Sequence, residues 1–278
     1  MKALNLGCGS RSHPDWENLD LFPVAPTVRA HDLRKGIPFS DGTFDVVYHS
    51  HVLEHFSKQA APGFLRECHR VLKSGGIIRV AVPDLERIAR LYLEALERAS
   101  HGMPGWRENY EWMVLEMFDQ TVRETSGGSC REYLRQDPIP NWSFICERWG
   151  TEAKAVVEAV RAETLPHPNG HSRSRAKGGA YLRHFGRIAL NKIAKTLLSE
   201  QNYEALRVGR FRRQGEIHQW MYDTYSLAQL LQRAGFCNCR RCTATESQIS
   251  NWAGYQLDAQ PAGTPHKPDS LFMEAAKP

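Results

Sequence analysis

"TFDVVYHSHVLEHF", residues 43–56, decides the fold. Its second half spells His-x-x-Glu-His. On a helix, His51 and His55 would share one face with Glu54 beside them, the ligand spacing of an inverted zinc peptidase. Its first half, "FDVVY", is an apolar run with adjacent valines that reads as a buried strand. In the strand reading, both histidines sit at a strand's carboxyl end and in the turn that follows. In an open parallel sheet, ligands bind there.

The flanking sequence repeats the strand pattern. "KALNLGC" (2–8) reads as a buried strand ending in a glycine turn, "NLDLF" (18–22) as a second strand and "VRAHDL" (28–33) as a third. "TFDVVYHS" (43–50) is the fourth and "IIRVAVPDL" (77–85) the fifth. Between them, 51–73 has helical spacing, with Leu53, Phe56, Phe64, Leu65, Cys68, Val71 and Leu72 near one face, and "SGG" stops it. Strands alternating with helices predict right-handed crossovers and a parallel sheet. The pattern breaks over 85–215, where helices are expected at 85–99, 106–122, 152–163 and 181–200, with a loop at 165–179. It resumes with a helix at 224–236, an alternating segment at 237–247 and a last strand at 270–277.

The chain has 278 residues, 41% of them hydrophobic and 24% charged, which suits a globular α/β domain with an insertion. No apolar run approaches the roughly 20 residues of a membrane helix. The opening "MKALNLGCGS" enters a strand without a signal-peptide pattern, so a cytoplasmic location is expected. Seven cysteines in a chain of this size read as reduced thiols. The net charge of +5 is unevenly placed: residues 161–215 hold 12 Lys/Arg against 3 Asp/Glu.

In combination, "LNLGCG", "NLDL", "HDLRKGIPFSDGTFDVVYHSHVLEHF" and "FLRECHRVLKSGGIIRVAVPDL" resemble the class I S-adenosylmethionine-dependent methyltransferases of the "methyltransferase 11" type. The resemblance is close over 2–84 and looser over 216–277. The segments "HQWMYDTYSLAQLLQRAGF" and "SLFMEAAKP" look like a bacterial subgroup associated with sugar and polysaccharide modification. The implied fold is Rossmann-like α/β: a seven-stranded, mostly parallel sheet with a large helical insertion after strand five. Residues 1–84 and 216–278 would form the core, and 85–215 a cap over the substrate cleft. With no helix before the first strand, this cap would also cover the cofactor.

The resemblance also implies roles. Leu6, Gly7, Cys8 and Gly9 would wrap the methionine part of S-adenosylmethionine, and Asp20 would bind the ribose with Leu21 against the adenine. Asp32 and Leu33 would meet the adenine amino group, and His49, Ser50 and His51 would line the sulfonium side. Asn5 stands where the family usually has an acid that pairs with the cofactor's ammonium. Under this reading the zinc motif loses its long helix and third ligand. The "GCGSRS" turn lacks the third glycine of a dinucleotide fingerprint.

The sulfonium is already activated, so alignment carries most of the rate. A hydroxyl acceptor still needs a base, and histidine suits neutral pH. His218 and His55 are the candidates, with Tyr222 and Asp223 orienting and Asp84 pointing into the same cleft. No Asn/Asp-Pro-Pro-Tyr follows strand four, which argues against methylating a base's amine. No acid set suits a catechol-type magnesium site, so no metal is expected. "CNCRRC" (237–242) reads as a strand in preference to a zinc site.

The basic segment suggests an anionic acceptor, such as a sugar nucleotide or a phosphorylated or lipid-linked saccharide. The basic helix 181–200 reads as packed on the domain with a solvated face. The sharper reading is contact with a membrane surface, which would place the protein at the inner membrane. Few aromatics interleave its charge, which disfavours nucleic acid. O-methylation of a sugar-type acceptor leads. O- or N-methylation of a small natural product follows, and a non-catalytic S-adenosylmethionine-binding partner protein is the distant alternative.

Overall fold

A computed structural model describes residues 1–164 and 194–278. The expected loop at 165–179 and most of the basic helix 181–200 lie outside the described residues. Among the described residues, no helix is long and apolar enough to cross a membrane.

Seven strands form one sheet: β1 (Ala3–Leu6), β2 (Glu17–Asp20), β3 (Val28–Ala30), β4 (Phe44–Ser50), β5 (Leu72–Pro83), β6 (Cys237–Cys242) and β7 (Ser270–Ala276). The order is β3-β2-β1-β4-β5-β7-β6. Strands β1 to β5 pair in parallel, and β7 runs antiparallel to both β5 and β6. The chain leaves β1 toward one edge and returns at β4 toward the other. The β1–β4 junction is thus the topological switch point, where a crevice opens at the strands' carboxyl ends.

Helix α1 (Ala61–Val71) starts with Pro62 in its first turn, where a missing N–H costs nothing. It buries Phe64, Leu65, Cys68 and Val71 against the sheet. On the same face of the sheet lies α8 (Thr224–Arg233), whose first turn is closed by an Asp223–Ser226 capping box. The helix expected from residue 51 starts ten residues late. His51 takes a left-handed backbone, φ +55, and Leu53–His55 form a single 3₁₀ turn. The "SGG" expected to stop a helix lies within β5, where the register with β4 shifts.

The far side of the sheet holds a buried cation. Arg79 is fully buried and donates to Asp258 at 2.7 Å, Glu274 at 2.8 Å and the Thr243 carbonyl at 2.7 Å. Trp252, on the short helix α9 (Trp252–Tyr255), covers its guanidinium at 4.4 Å.

Helices α2 (Leu85–Ser100), α3 (Trp106–Val122), α4 (Gly128–Leu134), α5 (Trp142–Trp149) and α6 (Glu152–Thr164) follow β5. They share a core around Trp112, Met113, Leu134 and Ile145. Helix α7 (Glu200–Arg212) leads back to the sheet. The bundle is tied to the sheet by polar contacts. The His218 N–H donates to the Gln120 carbonyl at 2.9 Å, and Glu152 pairs with Arg11 and Lys267.

Candidate functional site

Two cavities meet at the carboxyl ends of β1 and β4. The first, about 800 Å³, is walled by Gly7, Asp20, Leu21, Leu33 and Val52 and closed by the returning segment Arg213–Glu216. The turn after β1 requires its glycines. A Cβ on Gly7 would lie 2.3 Å from Val52 Cγ2, and φ there is +63°. Gly9 has φ +52° with open space above it, room for a ligand against the backbone. Asp20 is fixed from both sides: Oδ2 accepts the Gly9 N–H at 2.8 Å and Oδ1 the Phe22 N–H at 2.7 Å. Asp20 lines the cavity and has lone pairs beyond those two bonds, which suits a vicinal diol. Asp32 is also on the wall, held by a fork from Arg34 at 2.8 Å that lowers its carboxyl below the usual range.

The second cavity, about 530 Å³, lies under the helical bundle. Arg123, Arg131, Trp149, Met221 and Lys267 are on its wall. His51 and His55 border both cavities. Between the cavities lies Glu54, with no exposed surface. His51 Nδ1 stands 3.1 Å from its Oε1 and His218 Nε2 4.0 Å, yet neither carboxylate oxygen accepts a well-aligned hydrogen bond. Burial pushes the Glu54 carboxyl up, and His51, His55 and His218 more than offset this, so it stays well below its ordinary value. Burial drives His218 down to about 3 against the pull of Glu54, leaving a neutral imidazole beside a carboxylate. The His55 and His218 rings meet edge to face at 4.9 Å.

The structure brings together Gly7, Asp20, Leu21, Asp32, Leu33 and His51 on the first cavity, and His51, His55 and His218 on the second. Other expected site residues are placed elsewhere. Asn5 points into the loop after β1, donating to the Arg11 carbonyl at 2.9 Å and to Asn18 at 3.2 Å, so it cannot replace the missing acid. Leu6 and Cys8 are buried beneath the turn, and burial raises the Cys8 thiol to about 11. Gly9 contributes its N–H to Asp20. His49 faces α1 and packs on Phe64 at 5.2 Å, because strand alternation turns it away from the crevice. Ser50 is half-buried and off both walls.

Two other candidates for the chemistry lie off both cavity walls. Asp84 caps α2 through the Arg87 N–H at 3.2 Å and is bound by Arg241 at 2.7 Å, so it is a structural anchor. Tyr222 bridges to Asp84 in the sheet and packs in the main core, with its hydroxyl buried. "CNCRRC" is strand β6; Cys237 and Cys239 each donate to a backbone carbonyl, and Arg79 donates to Cys242. Sequence reasoning missed Glu54, which stood unused inside the quoted motif. It also missed Gln219, whose amide donates to the His55 carbonyl at 2.7 Å. That contact joins residues 164 apart, with no local signal.

Residues 15–80 match the family model "Methyltransf_11: Methyltransferase domain". Over 100% of its length the chain is similar to a solved structure, the complex of the Haloferax volcanii Trm112 methyltransferase activator and a putative methyltransferase. Identity is 12%, the TM-score 0.39, and 82% of that chain is covered. It is also similar to the Burkholderia thailandensis 1,6-didemethyltoxoflavin-N1-methyltransferase, with 12% identity, TM-score 0.37, and coverage of 99% of this chain and 70% of that one. A Mesorhizobium loti S-adenosylmethionine-dependent methyltransferase is 21% identical, with TM-score 0.24, over 30% of this chain and 46% of that one. No curated protein matches. The sheet order and its one antiparallel strand are those of the class I methyltransferase α/β fold, and the match at residues 15–80 supports an S-adenosylmethionine-dependent methyltransferase.

The residues present fit that cofactor. The cradle that a Cβ on Gly7 would fill and the anchored carboxylate of Asp20 suit an adenosine with an amino-acid tail. When bound, the cofactor supplies an activated methyl group, and the chain's residues position it.

Proposed function

We propose that the protein methylates a hydroxyl of an anionic, sugar-type acceptor held in the cavity under the helical bundle. The observation that carries this reading is the meeting of the two cavities at His51 and His55. Cofactor in one and acceptor in the other would face each other across the histidines. In the transfer, a C–O bond forms as the methyl–sulfur bond breaks, and its electron pair stays on sulfur. The hydroxyl proton leaves to His55, whose Nδ1–H is held by the Ile217 carbonyl and whose Nε2 keeps its lone pair. Support for a negative acceptor comes from the excess of Lys and Arg over residues 161–215, and Arg123, Arg131 and Lys267 stand on the wall. Glu116, Glu152 and Asp269 share that wall; Glu116 pairs with Arg148, Glu152 with Arg11 and Lys267, and Arg123 with Asp119 and Glu216.

A second reading, a small natural product as acceptor, is favoured by the apolar part of the same wall: Ile88, Leu134, Val156 and Met221. Methyl transfer measured by mass shift over sugar nucleotides, uronic acids, neutral sugars and apolar phenols separates the two. Transfer to the anionic sugars supports the first reading. Transfer only to neutral, apolar acceptors overturns it.

A further inference from the structure

We infer that Glu54, His55 and His218 form a binding site for a divalent transition-metal ion at the junction of the two cavities. The inference rests on the methyltransferase reading for its role, but not for its geometry. One ligand atom from each of the three residues lies within 4.8 Å of the others, and His218 Nε2 is 4.0 Å from Glu54 Oε1. Ligand atoms about 2.0–2.2 Å from a zinc ion lie about 3–4 Å apart, so small side-chain rotations complete the set.

The second observation is Glu54 itself. Its side chain is fully buried, neither oxygen accepts an aligned hydrogen bond, and it points at the two histidines. A buried carboxylate without aligned donors is costly unless a cation answers it.

The backbone holds this cluster ready. The Gln219 N–H donates to the Glu54 carbonyl at 2.7 Å, and the Trp220 N–H to the same oxygen at 3.2 Å. The Gln219 amide reaches the His55 carbonyl at 2.7 Å. The strand-end turn and the returning segment are thereby stitched together with His218 between them. His55 Nδ1 is 3.0 Å from the Ile217 carbonyl, so Nδ1 carries the proton and Nε2 presents its lone pair. Metal-binding histidines are oriented by this kind of outer contact. His51, bonded to Ser270 at 2.9 Å and facing Glu54, would brace the carboxylate from behind.

Two imidazoles and one carboxylate select zinc, cobalt, iron(II) or nickel over magnesium or calcium. This set leaves coordination positions open, as catalytic sites do. His55 and His218 border the bundle cavity, so an acceptor oxygen could occupy such a position. The ion would favour loss of the acceptor's O–H proton to solvent while the electron pair stays on the bound oxygen. That oxygen then takes the methyl group as the carbon–sulfur bond breaks toward sulfur. The histidines would act as ligands, and the metal-independent transfer expected from the sequence would be revised.

The test is titration of the full chain, stripped with a chelator, with Co²⁺ followed by visible absorption and with Zn²⁺ by calorimetry. The expected result is stoichiometric binding, weakened at least about tenfold in Glu54→Gln and in His218→Ala. It should be unchanged in a Cys237→Ser/Cys239→Ser/Cys242→Ser variant. Glu54→Gln is isosteric and guards against misfolding, which far-ultraviolet circular dichroism checks. Lack of stoichiometric binding in the wild type, or binding lost only in the cysteine variant, overturns the site. S-adenosylhomocysteine titrated into the same stripped sample separates the two claims. Cofactor binding without metal binding sinks the site alone. Metal binding without cofactor binding leaves the site and sinks its assigned role.

Discussion

Gly7→Ala tests the turn that carries the cofactor cavity. An alanine there must hold φ near +63°, at a cost of about 1–2 kcal/mol for a left-handed residue. Its methyl would also stand 2.3 Å from Val52 Cγ2, an overlap that forces movement and costs about 1–3 kcal/mol more. The expected loss is about 2–5 kcal/mol, read as a lower urea midpoint at constant slope. Val52→Ala removes the clashing methyl, so the double variant should be less destabilised than the two single losses added. The difference should be about 1–3 kcal/mol, the overlap portion. Gly7 and Val52 both border the cavity, and Asp20 hangs on the same turn through Gly9. S-adenosylhomocysteine affinity should therefore fall with stability in Gly7→Ala and recover partly in the double variant. If Gly7→Ala unfolds at the wild-type midpoint, or the two substitutions add without interaction, the geometry of this turn is wrong.

Arg79→Met would leave Asp258 and Glu274 buried without their cation, and should lower stability by about 3–5 kcal/mol in urea unfolding. Asp84→Asn should lower the melting temperature through loss of the Arg241 pair. It should leave the rate of methyl transfer unchanged, whereas His218→Ala should reduce that rate without weakening the cofactor. Glu67 is held at about 2, below its ordinary 4.5, chiefly by its hydrogen bond from Arg70. A depressed carboxyl stabilises the fold above pH 4.5, and its contribution fades as pH falls toward 2. The melting-temperature gap between wild type and Glu67→Gln should narrow over that interval.

The sheet was legible because its signals are local. "ALNL" and "IIRVAVP" are mostly apolar, with Asn5 and Arg79 the exceptions, as strands buried on both faces tend to be. The 16-residue amphipathic run of α2 needed no partner to be recognised. Helices α4 and α5 were not legible. They have 7 and 8 residues, and tertiary packing holds helices that short. The left-handed backbone of His51 was equally hidden, and with it the late start of α1. In the site, Gly7 and Asp20 could be read from strand ends and turn chemistry. The sequence does not show that Arg241, 157 residues away, binds Asp84. Glu54 was passed over because its burial depends on His218, which arrives from the far side of the insertion.

The most direct test of the central claim is calorimetric titration of S-adenosylhomocysteine into the wild type and Asp20→Ala. The account predicts binding to the wild type and at least tenfold weaker binding to the variant, a loss of about 1.4 kcal/mol or more. A wild type that fails to bind, or an Asp20→Ala protein that binds equally well, would contradict it.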